Sequence, residues 1–176
     1  MENLKRTSII LELLDELKKK GSWCGETHIQ KAMYFLQELA GVPTGFTYIL
    51  YKHGPFSFDF RDELTALRAD GLLELTPQPY PYGPSLSVTD NGNELKARFP
   101  KTLGRYRDNI NFVAQKLGDK GVTELERLAT ALYVSKKHPE ENNHKIGEMI
   151  KALKPHISAE QARAAADEVK EMIEAA

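Results

Sequence analysis

The sequence contains a single cysteine, Cys24, so no disulfide can form within the chain. A lone free thiol is typical of a protein from a reducing compartment, and the sequence therefore predicts a cytoplasmic location. No run of residues approaches the roughly 18 consecutive apolar positions that a membrane-spanning helix needs. The N-terminal residues lack the small-residue cleavage site of a secretory signal. We expect neither a membrane segment nor secretion.

A large net charge is also absent, since the 176 residues sum to −1 at pH 7. Such a balance supplies no long-range attraction to nucleic acid or to an anionic membrane. The sequence has no phosphate-binding glycine loop, no G-x-S-x-G and no H-E-x-x-H. These absences predict a protein that is not an enzyme and that uses no cofactor and no metal.

What the sequence has in abundance is helical periodicity. Apolar residues recur at a spacing of three to four in segments throughout the chain, and residues 99–176 are predicted to be helical throughout. Capping-box patterns predict helix starts at Thr27, Thr123 and Ser158. Ser57 or Asp59 is expected to cap a further helix that ends at a glycine, Gly71.

Short strands are predicted in "FTYILY" (46–51), "LLEL" (72–75) and "SLSVT" (85–89), because these segments are β-branched, aromatic or alternating. Between the last two lies "TPQPYPYGP", whose four prolines favour a stiff, exposed loop. The element order is that of a winged helix-turn-helix variant. We therefore predict a mainly α fold with a small β element: a winged-helix-like module over 1–98 and a C-terminal helical region over 99–176, packed on the first.

The segment "YILYKHGPFSFDF" raises the question of a catalytic site at His53. A general base needs an acidic partner and a pocket, and the acids nearest in sequence, Asp59 and Asp62, suit the first turn of a helix instead. Gly54 and Pro55 favour a sharp change of direction. The preferred interpretation is a structural corner that joins a strand to the following helix.

Two other groups of residues invite a metal-site interpretation. Cys24 and His28 are four positions apart but lie on either side of a predicted helix start, and two further ligands are missing. The segment "KKHPEENNHK" (136–145) brings together histidines and glutamates, yet its composition is that of a polar linker. Cys24 is expected to be a small buried residue.

Residues 25–98 resemble a known family. The segments "KAMYFLQELAG" and "YILYKHGPFSFDFRDELTALRADGLLEL" are similar to the Panacea domain of SocA-like antitoxins and to the related YwgA-type proteins. The matching positions are Lys31, Tyr34, Gln37, Gly54, Pro55, Leu67, Gly71 and Leu72. The resemblance implies a prokaryotic or phage protein that works by binding, beside toxins or in defence settings. It also implies that Lys31, Tyr34, Gln37, Gly54 and Pro55 are structural.

DNA binding through the predicted third helix is disfavoured by its charge. The segment "SFDFRDELTALRAD" (57–70) has four acidic residues against two arginines, and the following proline-rich loop has neither lysine nor arginine. A phosphate backbone would repel such a surface. A homodimer that presents the lysines of 18–20 would still allow a winged-helix transcriptional regulator, which we keep as the alternative.

The same features suit protein recognition. Tyrosine is enriched at interface anchors, and a loop stiffened by proline loses little conformational entropy on binding. We predict Tyr80, Tyr82 and Phe58 as contact residues for a protein partner. The alternative is that Tyr80 and Tyr82 fold back onto the sheet of their own module.

Overall fold

The computed structural model describes all residues, 1–176, and confirms a mainly α fold with a small β element. The helices are α1 (Asn3–Lys19), α2 (Glu26–Glu38), α3 (Phe58–Ala69), α4 (Asp90–Ala97), α5 (Pro100–Leu117), α6 (Val122–Lys137), α7 (Asn143–Leu153) and α8 (Ala159–Ala175). The strands are β1 (Ile49–Tyr51), β2 (Gly54–Phe56), β3 (Leu73–Thr76) and β4 (Ser85–Val88). None of the eight helices combines the length and the apolar composition that crossing a membrane requires.

Helix starts follow the predicted caps in some places only. Ser158 forms the predicted capping box with Gln161, and the Ser57 hydroxyl accepts a hydrogen bond from the backbone N–H of Phe60. The predictions at Thr27 and Thr123 were wrong, because α2 and α6 begin one residue earlier and their N-caps are glycines without a side-chain bond. In both helices the Gln or Glu of the pattern is buried and turned toward other partners.

Helix α2 lies at the centre of the molecule. Every residue from His28 to Leu36 is buried, so this helix has no solvent-facing stripe over two and a half turns. It packs against α5, α6 and strand β2, and α1 in turn packs against α5. The polar side chains of α2 must therefore find hydrogen-bond partners inside the protein.

A single hydrophobic cluster runs through the whole chain, from Ile9 in α1 to Met172 in α8. Helices α6, α7 and α8 pack on one another at one end of it. The boundary expected near residue 98 falls just before α5, yet α5 shares its core with α1 and α2. That boundary and the winged-helix assignment of 1–98 stay predictions.

The four strands form two separate antiparallel hairpins. In the first, Leu50 is opposite Pro55 and Tyr51 is opposite Gly54, which leaves Lys52 and His53 as a two-residue turn. The predicted corner is thus wrong in detail, because Gly54 and Pro55 belong to a return strand before α3 begins. The strand was missed since proline at a ladder position cannot donate a hydrogen bond. In the second hairpin Leu75 is opposite Leu86, and the proline-rich loop connects the strands.

Candidate functional site

Exposed aromatic side chains gather at the first hairpin. Tyr51 is 53% exposed and Phe58, the first residue of α3, is 39% exposed. Their ring centroids are 5.6 Å apart, and that of Phe56 is 5.1 Å from that of Phe58. The predicted contact residue Phe58 therefore belongs to an aromatic group of Tyr51, Phe56 and Phe58, which we call the hairpin cluster.

The two tyrosines of the proline-rich loop have different surroundings. Tyr80 is 97% exposed. Tyr82 packs edge-on against Trp23, with ring centroids 4.8 Å apart and an angle of 68° between the rings. The alternative that both tyrosines fold back onto their own sheet does not hold for Tyr80, and the aromatic neighbour of Tyr82 lies in the loop between α1 and α2. The prediction of contact with a partner stays a prediction.

Sequence reasoning missed Trp23, although it is the only tryptophan of the chain. Strand β4 fixes the position of the loop that carries it: the backbone N–H of Leu86 donates to the carbonyl of Cys24 at 2.9 Å, and the Ser85 hydroxyl donates to the carbonyl of Trp23. Cys24 has a φ of 56°, which is uncommon for a residue other than glycine. The indole remains 43% exposed at the surface.

A groove of about 520 Å³ opens beside Trp23. Its walls come from the α1–α2 loop, one face of α3, the β3–β4 hairpin and the α5–α6 loop. The volume lies within the range of roughly 300–1,000 Å³ that is usual for ligand sites. The side chains that matter below are Trp23, Arg61, Arg68, Leu75 and Val122.

Arg61 joins the groove to the hairpin cluster. Its guanidinium lies 5.1 Å from the centre of the Phe58 ring, a cation–π distance, and the same side chain lines the groove. The predicted contact residues Phe58 and Tyr82 therefore lie at two ends of one surface: Phe58 contacts Arg61, and Tyr82 contacts Trp23 on the other side of the groove. We call this the aromatic surface: the hairpin cluster, Arg61, Trp23 and Tyr82, to which we add the exposed Tyr80 because it lies in the same loop as Tyr82.

His28 forms part of the groove lining but its ring is fully occupied. Its Nε2 lies 2.8 Å from the carbonyl of Leu117 and its Nδ1 lies 2.9 Å from the hydroxyl of Ser22. A carbonyl only accepts, so Nε2 carries the proton and Nδ1 accepts from Ser22. Burial lowers the pKa of His28, against the opposing effect of the Leu117 carbonyl. The imidazole is therefore neutral at pH 7 and has no nitrogen free for a ligand.

Cys24 lies beneath the same loop and is completely buried, as expected. Its thiol is 3.5 Å from the carbonyl of Leu14, and burial raises the pKa of the thiol. The side chains of Cys24 and His28 therefore contact different groups and do not converge on a shared site. No group of three or more His, Cys, Asp or Glu side chains is arranged to hold a metal ion.

The residues that carried the family resemblance have identifiable contacts around α2. The buried ammonium of Lys31 donates to the carbonyl of Pro55 at 2.8 Å, and burial lowers the pKa of Lys31 to about 8. Gln37 binds the backbone of Phe46 through both ends of its amide, each at 2.9 Å. Tyr34 packs edge-on against Tyr48, and burial raises the pKa of Tyr34.

His53 has an acidic neighbour that sequence spacing did not reveal. Its Nδ1 is 3.9 Å from a carboxylate oxygen of Glu126, which comes from α6. Glu126 is also 3.3 Å from the ammonium of Lys154 and 3.4 Å from His156, so several cationic or titratable groups surround this one buried carboxylate. His53 itself is mostly exposed in the hairpin turn, and the two principal cavities are lined by other residues. The geometry is that of one buried carboxylate with three basic side chains around it.

The exposed face of α3 has the mixed charge that its sequence indicates. Glu63 is paired with Arg6 of α1, and Arg61 is 3.0 Å from Asp62. The lysine cluster that a dimer was expected to present is partly engaged, since Lys18 donates to Ser87 and Lys19 pairs with Glu16. On both surfaces, several cationic side chains thus have carboxylate or hydroxyl partners within the chain.

In comparisons with known proteins, the chain matches no protein-family model and no curated protein. The resemblance of residues 25–98 to the Panacea domain stays a prediction that depends on the matching residues alone. The functional interpretation must therefore come from the geometry of the aromatic surface and of the groove beside it.

Proposed function

We propose that this protein recognises a partner protein through the aromatic surface and is not an enzyme. The role we assign is regulatory, antitoxin-like or linked to phage and defence, in keeping with the resemblance of residues 25–98. The observation that carries the proposal is the contact of Arg61 with Phe58, which makes one surface of the hairpin cluster and the groove at Trp23.

The composition of this surface supports binding to a protein. Tryptophan, tyrosine and arginine are the residue types that dominate the energetic centres of protein interfaces. The aromatic surface contains all three, in Trp23, Tyr80 and Arg61. Exposed aromatic side chains that pack on one another are already partly ordered, which lowers the entropy lost on association.

The hydrogen bonds around β4 support the same conclusion. They hold the backbone of Trp23 and Cys24 against the β3–β4 hairpin, so that Trp23 and Tyr82 approach from two separate loops. Gly25 allows this arrangement, since a Cβ atom there would lie 2.9 Å from the indole nitrogen of Trp23. A surface positioned by backbone hydrogen bonds suits a partner of defined shape.

Affinity capture from native lysate tests the proposal, with and without nuclease treatment. Partners that bind the wild-type protein after nuclease, but not a Trp23→Ala/Tyr80→Ala variant, would support recognition of a protein. The matched control is Ile173→Ala, which removes a similarly exposed apolar side chain from α8. The control is expected to retain the wild-type partners.

Two outcomes would contradict the proposal. Binding that disappears on nuclease treatment, together with salt-sensitive nanomolar binding to duplex DNA, would favour the winged-helix regulator. Equal capture by the wild-type protein and the double variant would place the binding surface elsewhere.

Self-association through the aromatic surface is a separate outcome. It would appear as a molecular mass that rises with the concentration of the wild-type protein but not with that of the double variant.

A further inference from the structure

The groove beside Trp23 has one cationic wall, which α3 provides. Arg61, Leu64, Thr65 and Arg68 all line the groove, because positions three, four and seven apart lie on one helix face. Arg68 forms no ion pair within the chain. Arg61 pairs only with the adjacent and mostly exposed Asp62. The guanidinium of Arg68 is therefore free for a ligand, whereas that of Arg61 would exchange the exposed Asp62 for one.

Apolar side chains border the same groove. Trp23, Leu75 and Val122 line it and are each more than a third exposed, although they come from three separate parts of the fold. Exposed apolar side chains that gather around a concave surface are typical of a binding site. The groove thus offers apolar contact and positive charge together.

The remaining charges determine how a ligand would lie. Lys120 is neutralised by Glu124 at 2.7 Å and Glu168 at 2.9 Å. Glu26 and Asp119 also line the groove, but they belong to the start of α2 and to the α5–α6 loop. A negatively charged ligand would be repelled there and attracted to the side of α3.

We propose that the groove binds an acidic segment of a partner protein. Carboxylates of that segment pair with Arg61 and Arg68, and an apolar side chain beside them packs on Trp23. Arginine binds carboxylates through two parallel hydrogen bonds, which gives this contact a defined direction. The inference rests on the proposed function, and it specifies that the partner segment is acidic and carries an apolar side chain.

Trp23 provides a direct measurement, because it is the only tryptophan and it borders the groove. The probes are the peptide acetyl-Glu-Leu-Glu-Phe-Glu-Leu-amide and two counterparts in which every Glu is replaced by Gln or by Lys. Titration should change the emission of Trp23 with the acidic peptide, at an affinity at least fivefold higher than with the Gln peptide. Added salt should reduce that difference.

Arg68→Gln should remove the preference for the acidic peptide, and Arg61→Gln should reduce it. Arg107→Gln is the matched control, because Arg107 is exposed on α5, forms no ion pair and does not line the groove. Circular dichroism verifies that each variant is folded. Preference for the Gln or Lys peptide, no binding at millimolar concentration, or an Arg68→Gln variant with unchanged preference would overturn the inference.

The two proposals can fail separately. If lysate partners depend on Trp23 and Tyr80 while the acidic peptide has no advantage, protein recognition stands and the acidic chemistry is wrong. If the peptide binds as expected while no lysate partner depends on the aromatic surface, the groove binds acidic segments but the proposed function fails.

Discussion

The buried ammonium group of Lys31 donates a hydrogen bond to the backbone carbonyl of Pro55, 24 residues further along the chain and 2.8 Å away. Lys31 lies on the central helix α2 and Pro55 in the return strand of the first hairpin. The hairpin that carries part of the aromatic surface is thus attached directly to the core. The stability of this attachment can be measured.

Lys31 should make a contribution to the stability of the protein that rises with pH between about 7.5 and 9.5. Lys31 has a pKa of about 8 in the folded protein, because burial disfavours its charge, whereas an unfolded lysine titrates near 10.4. At Lys31 the unfolded chain binds more protons in this window, so raising the pH favours the folded state there by about 2 kcal/mol. The buried Cys24 thiol offsets part of this gain above about pH 8.5, because burial raises its pKa and only the unfolded thiol then loses its proton. Urea denaturation at several pH values measures the gain.

Lys31→Met should flatten that pH dependence, and Lys101→Met, an exposed control on α5, should leave it unchanged. The pH range of the measurement must end below about 10, because unfolded tyrosines begin to lose their protons there. Burial raises the pKa values of Tyr34 and Tyr48, so their contribution to stability is lost as the pH rises further. Equal pH dependence of the wild-type protein and of Lys31→Met below pH 9.5 would contradict the assignment to Lys31.

Gly54→Ala should destabilise the protein by about 1–2 kcal/mol. Gly54 has a φ of 88°, in the left-handed region, and an added Cβ would lie 3.1 Å from the Thr130 hydroxyl. The matched control is Gly104→Ala in α5, where no atom lies within 4 Å of an added Cβ. Since alanine favours a helix over glycine, the control should gain about 0.5–1 kcal/mol. Thermal unfolding of both variants separates the two effects, and a stabilised Gly54→Ala would be inconsistent with this hairpin.

Gln30→Leu should destabilise the protein by about 1–3 kcal/mol. The buried Gln30 amide donates to the carbonyl of Ser57 at 2.9 Å and accepts from its backbone N–H at 3.1 Å. Leucine would leave the backbone N–H of Ser57 buried without a partner, just where α3 begins, while its carbonyl would keep only the hydrogen bond from the backbone N–H of Arg61. Gln115→Leu, at an exposed position of α5, should cost less than 0.5 kcal/mol. Equal midpoints in guanidinium for the two variants would refute the role of Gln30.

Tyr80→Ala and Tyr82→Ala should have different effects on the free protein. Tyr80 is almost fully exposed, so its loss should change the free energy of unfolding by less than about 0.5 kcal/mol. Tyr82 packs on Trp23, and its loss should cost about 0.5–1.5 kcal/mol. Tyr82→Ala should also alter the emission of Trp23, whereas Tyr80→Ala should leave it as in the wild type. Identical emission from both variants would exclude the contact between Tyr82 and Trp23.

The helices could be predicted from the sequence because residues close together in the chain determine where a helix forms and begins. Ser158 and Gln161 are three residues apart and cap α8 as their spacing predicts. The same pattern at Thr27 and Gln30 was misleading, because Gln30 is buried and binds Ser57 in preference to its own helix start. Tertiary contacts override a local signal when the side chain concerned lies in the core.

The groove could not be predicted, because its parts are distant in sequence. Trp23 meets Tyr82 across 59 positions, and the carboxylate near His53 comes from Glu126 in α6. No periodicity or motif connects such residues before the chain is folded. The exposed tyrosine of the proline-rich loop was found, since four prolines in nine residues determine the local structure directly.

The single core that joins α1 to α5 has a consequence for how this protein can be divided. A fragment that stops at residue 98 would expose the face of α1 that α5 now covers, and the remaining helices would lose the support of α2. We expect that neither piece would fold as an independent unit. A truncated form made in the laboratory should therefore keep the span from α1 to α8 intact.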